Sequence, residues 1–181
     1  MKITTQRMLK ILYILSWIIF VGVCIEAGSF IVNAVFALAD PGKVKYLWHE
    51  VDLSALYQYD HGYFFAETLL MGIVAVMRGW LFYLIIKILR DKQLDIAQPF
   101  SAVMGRFILN MSYVALFIGL FSWWGTKYTE WLVTKGVTMP GIEYLRLGGA
   151  DVWLFMGVTL LVIAQMFKRG IEIQTENDLT V

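Results

Sequence analysis

Residues 68–86 read TLLMGIVAVMRGWLFYLII, nineteen positions with one charge, Arg78, near the middle. A soluble core helix of this length keeps a polar face, whereas this one is apolar all round except at Arg78. About 20 apolar residues cross a hydrocarbon layer about 30 Å thick, so the stretch predicts a membrane span. An ion inside such a span is costly unless something receives it. The rest of the chain is therefore read by asking which residue receives Arg78.

The composition agrees with a membrane setting. Of 181 residues, 59% are hydrophobic and 16% charged, against about 25% charged in an average soluble domain. A net charge of +1 gives no basic field for nucleic acid, so direct nucleic-acid binding is not expected. Cys24 is the single cysteine. It excludes an internal disulfide and a CxxC redox pair, and reads as a small apolar residue. The first hydrophobic segment is too long for a signal-peptide core and lacks a small-residue cleavage site, so it is expected to stay in the protein.

Three further stretches resemble the first in composition. Residues 11–39 carry only Glu26 as a charge. At ~1.5 Å per residue they reach ~43 Å, so the helix is tilted, broken near Gly28, or extended past the lipid. Gly22, Glu26, Ser29 and Asn33 share a helical face, a small polar stripe of the kind that meets other helices. Residues 107–126 carry no charge and end in the interfacial pair Trp123 and Trp124. At the other end of that span, Arg106, Asn110 and Tyr113 share a face. Asp151 opens a fourth span, Lys168 and Arg169 stop it, and Gly170 lets the chain turn away. The expected fold is an all-α integral membrane protein, a single domain over 1–181. Its spans are placed near 8–39, 64–89, 102–130 and 148–169, in a four-transmembrane-helix bundle with an aromatic-rich outer cap.

The segments between spans set the orientation. Residues 44–66 are dense in aromatics, among them Tyr57, Tyr59, Tyr63, Phe64 and Phe65, and read as a cap at the membrane boundary. A metal site using His49, Asp60 and His61, with Glu50, Asp52 and Glu67 nearby, is the weaker reading of this segment. No pair there has the i, i+4 spacing of a helical zinc motif. Residues 127–149 form a second outer segment turned at Met139-Pro140-Gly141, and 87–101 form a charged loop with Pro99 before the next helix. Lys2, Arg7, Lys10, Lys87, Arg90, Lys92, Arg106, Lys168 and Arg169 fall on one side. Lys43, Lys45, Lys127, Lys135 and Arg146 fall on the other. This bias places both termini in the cytoplasm.

Glu26 is the natural counter-ion for Arg78. Counted from the inner ends, Glu26 lies ~24 Å up its helix and Arg78 ~14 Å up, and side-chain lean narrows the gap. The two are expected to approach directly or through a water, with Ser29, Asn33 and Asn110 as supporting polar groups. The acidic tail, with Glu172, Glu176, Asn177, Asp178 and Leu179, is expected to dock on a basic protein surface or on the chain's own 87–106 loop. No nucleophile with its base can be picked out, so no enzyme activity, cofactor or resident metal is expected. The leading function is a sensor or regulatory partner of a cytoplasmic protein. The alternative is a small transporter or channel subunit in which Glu26 and Arg78 line the interior. The partners are the lipid bilayer and a cytoplasmic protein, with a homo-oligomer also allowed.

The ending FKRGIEIQTENDLTV, residues 167–181, resembles that of a family of small bacterial four-span proteins of unknown function, the YoaS-like proteins among them. The Pro99-Phe100 pair before the third span and the layout of spans are also similar. The resemblance covers nearly the whole chain and is most specific in ENDLTV, residues 176–181. It implies a bacterial inner-membrane protein whose relatives are often encoded beside a small helix-turn-helix regulator, and it carries over no catalytic residue.

Overall fold

In a computed structural model, residues 5–39, 51–90 and 101–178 are described, and these form five helices. They are α1 (Thr5–Ala39), α2 (Ser54–Tyr59), α3 (His61–Arg90), α4 (Ala102–Thr134) and α5 (Ala150–Asp178). Four of them are long and apolar enough to cross a membrane, and the described residues contain no strand. The all-helical, four-span class expected from hydropathy is the class observed. The Asp40-Pro41-Gly42 turn, the 91–100 part of the charged loop with Pro99, His49 and residues 179–181 lie outside the described residues.

Local chemistry starts the helices. Asp60, extended at φ −161°, turns its Oδ1 to accept the Tyr63 N–H at 2.9 Å at the head of α3. Ser101 does the same for Met104 at the head of α4, at 3.2 Å. Each satisfies an amide that a helix start would leave unpaired. At the end of α4, Gly136 takes φ +83°, which lets the Val137 N–H reach back to the Leu132 carbonyl at 3.2 Å.

Packing follows chain order: α1 on α3, α3 on α4, α4 on α5, with α2 on α3. The spans alternate in direction. The start of α1 shares a groove with the end of α3, through Tyr13 and Leu89. The end of α3 likewise meets the start of α4, and the start of α4 meets the end of α5. The opposite end carries a cap in which α2 and the loop after α4 bury Val51, Leu53, Leu56, Val137, Leu145 and Leu147. Thr126 Oγ1 donates to the Leu147 carbonyl at 3.3 Å and fastens the loop to α4.

One of the three alternatives for the first span falls away, and two expectations need correction. Helix α1 runs unbroken through Gly22 and Gly28, because a glycine in a helix costs only about 1 kcal/mol and the hydrocarbon offers no alternative partner for freed backbone groups. Gly22 is exposed, with nothing within 4 Å of the place its Cβ would occupy, so the small stripe does not meet another helix there. Among the described side chains of α1, the buried ones are Ser16, Ala27 and Phe30. Helix α5 does not turn at Gly170 but continues to Asp178. Arg169 pairs with Glu172 at 3.1 Å one turn on, and Thr175 Oγ1 donates to the Ile171 carbonyl at 2.9 Å. Nothing in that turn obliges the helix to stop.

Candidate functional site

The charged residues within the spans converge below the cap, where α1, α3, the start of α5 and the 135–149 loop meet. Arg146, in that loop, adopts φ 59°, an uncommon conformation for a residue with a side chain. Its Nε lies 2.8 Å from Glu26 Oε1. The N–H is not aimed along that line, so Oε1 remains without a hydrogen bond and the contact is an ion pair only. Glu26 is 22% exposed and Arg146 50%.

Arg78 makes no direct ion pair with the carboxylate. Its guanidinium lies over the Trp153 ring of α5, 5.6 Å from the centroid, a cation–π arrangement. It is attracted by Glu26 and repelled by Arg146. Its Nε is buried without a hydrogen-bond partner. One carboxylate thus lies in the field of two guanidiniums, and its direct partner is Arg146.

The other residues singled out from the sequence are dispersed. Ser29 Oγ donates to the Glu26 backbone carbonyl at 2.6 Å and does not serve the carboxylate. Asn33 lies on α1, and its side chain is not among those described. Asn110 is exposed and lines a groove with Lys87 and Arg106 at the end away from the cap. His61 packs its ring on Tyr57, 4.3 Å between centroids, beside the capping Asp60. Among the described residues no three metal-binding side chains converge. Glu172 is paired with Arg169, and Glu176 is exposed. Asn177 and Asp178 belong to α5, and their side chains are not described.

Sequence reasoning missed three participants. Arg146 counted only as a base outside the membrane, and Trp153 only as part of a span. Glu67 figured only as a weak metal donor, yet it is 0% exposed and bound to Thr129 at 2.7 Å. The available signal for Glu67 was its place as the single acid heading a long apolar run.

Four membrane-crossing helices with charges gathered beneath a cap define a multi-pass helical membrane protein. The chain belongs to the family described as "Protein of unknown function (DUF2975)", which matches residues 48–181. The match takes in Glu67, Arg78, Thr129, Arg146 and Trp153, while Glu26 lies before it. No curated protein and no solved structure matches the chain.

Proposed function

We propose that the protein is a non-enzymatic sensor or regulatory partner in the bacterial inner membrane, with both termini in the cytoplasm. Its output is the end of α5, offered to a cytoplasmic protein such as a small helix-turn-helix regulator, in line with the YoaS-like resemblance of the tail. The observation that carries this reading is the continuation of α5 beyond Lys168 and Arg169. Those bases suit the headgroup boundary, and past them the helix presents Glu172, Ile173 and Glu176 outward, with Ile173 46% exposed. Anionic lipid repels the acids, so a basic protein surface is the fitting receptor. The same helix begins directly after the loop that holds Arg146, so α5 links the charged site to the tail through one rigid element.

Deleting residues 171–181 tests the proposal. The truncated protein should stay folded and membrane-inserted, by circular dichroism and gel filtration in detergent, and should no longer retain the co-expressed regulator on an affinity column. Retention at the full-length level, or loss of the fold, counts against the tail as an output. In the second case the tail is packing for the chain itself, beside the Gly105 and Arg106 groove that Ile171 already lines.

A further inference from the structure

Glu67 sits on α3 against α4, beneath the cap, and is wholly buried. Its Oε1 lies 2.7 Å from Thr129 Oγ1. Its Oε2 is buried with no hydrogen-bond partner. Thr129 is itself buried, and its Oγ1 also lies 3.0 Å from the Gly125 carbonyl oxygen one turn earlier on α4.

A threonine hydroxyl carries one proton, so it donates to one of these two oxygens and not to both. If Glu67 were a carboxylate, one of the two short oxygen–oxygen contacts would have no proton in it. The buried anion would then rest on a single donor, and among the described residues no cation pairs with it. If Glu67 is a carboxylic acid, both contacts become hydrogen bonds in series. Glu67 O–H donates to Thr129 Oγ1, and Thr129 O–H donates to the Gly125 carbonyl. The orphan Oε2 is then the carbonyl oxygen of a neutral acid, whose missing donor costs far less than an unsolvated charge.

The surroundings support the neutral form. Helix α1 contributes the apolar Ala27 and Phe30 to the same core, and Tyr57 of α2 packs its ring on Phe64. Lys127 and Glu130 of α4 are exposed and pair with each other at 2.7 Å. Arg146 of the cap loop is engaged with Glu26. Titratable groups nearby among the described residues include Tyr57 on α2, His61 and Tyr63 on α3, Tyr128 on α4 and Asp60 at the α2–α3 junction. Tyr128 lies within electrostatic reach of Glu67, Tyr63 and Asp60, and its ring meets that of Tyr63 at 6.4 Å. Asp60 is exposed and Tyr63 and Tyr128 are half-buried, so burial increases from Asp60 through these tyrosines to the buried carboxyl.

We propose that Glu67 is a proton-binding site, a carboxyl kept as the neutral acid by its complete burial, with its O–H received by Thr129, and loaded from the cap end past Tyr63 and Tyr128. The ligand is the proton alone. Release leaves the carboxylate on Glu67 and hands the proton to water at Asp60, with no other reactant. This proposal is independent of the role of the tail.

The test is infrared spectroscopy of the full chain in lipid nanodiscs, with Glu selectively labelled with carbon-13. The unsubstituted protein at neutral pH should show the carbonyl stretch of a protonated glutamic acid, falling as pH rises. Thr129→Val should shift this band by removing its hydrogen bond, and Glu67→Gln should abolish it. Tyr128→Phe should slow its loss several-fold after a pH jump. A folded, unsubstituted protein without the band overturns the proposal with no variant needed. A band unmoved by Thr129→Val also overturns it. A band that persists unchanged until alkaline unfolding, or decays at the same rate in Tyr128→Phe, refutes the loading route.

Discussion

Helix α5 approaches α4 so closely that a Cβ added at Gly157 would sit 2.9 Å from the Leu116 nitrogen, whereas one added at Gly28 on α1 would meet nothing within 4 Å. The first seam is reciprocal, because a Cβ at Gly119 would sit 3.0 Å from the Leu154 nitrogen. Ser112 Oγ closes it by donating to the Gly157 carbonyl at 2.9 Å. The second seam is loose. Helices α1 and α3 leave an apolar groove of about 510 Å³ between Ile31, Val35, Leu69, Gly72 and Val76. In hydrocarbon, helices gain little by hiding apolar surface, so contact distance and polar bonds decide association. Thus α5 is placed by shape, while α1 combines a lighter packing with a charge pair to the cap. Glycines make a tight seam only where the neighbouring backbone reaches them.

Four single substitutions, one of them joined by two compensating exchanges, probe that contrast, in descending effect. Gly157→Ala should force α4 and α5 apart and lower stability by about 1–3 kcal/mol, the usual cost of overpacking, measured by denaturation in mixed micelles. An unchanged midpoint would mean that the seam has slack. Glu26→Arg should loosen α1 from the cap, at about 1 kcal/mol or less because Arg146 is half exposed. Adding Arg146→Glu should restore the contact, and adding Arg78→Glu should restore less. A spin label on the native Cys24, which is exposed, reports this through its mobility. Equal rescue by both exchanges would show that the two arginines serve Glu26 alike. Ser112→Ala should cost about 0.6 kcal/mol, the mean for an interhelical hydrogen bond in a membrane. Gly28→Ala should leave the same denaturation midpoint unchanged or slightly raised, and a drop would reveal a close neighbour on α1.

The spans were legible because crossing a membrane is a one-dimensional demand, a run of apolar residues of sufficient length. Glu26 and Arg78 stood out for the same reason. Their pairing was not legible, because rise per residue gives height and not the direction a side chain takes around the bundle. Arg78 points toward Trp153, and the counter-ion of Glu26 comes from a loop 120 positions along the chain. Glu67 was hidden by its place at the head of a span, where an acid ordinarily reaches water. The cap of α2 and the 135–149 loop covers that end instead. Gly170 was misread because glycine permits a turn without compelling one.

The chain-order packing bears on how the protein is made. Each span rests mainly on the one synthesised just before it, so these seams can close as their second member enters the bilayer. Two contacts are exceptions: Arg78 over Trp153, which joins α3 to α5, and the Glu26–Arg146 pair. The pair joins the first helix to a loop that emerges only after the third span is in place, so it closes late. Until then, α1 has α3 alone to hold it, and the pair forms only on a chain that has threaded its first three spans correctly.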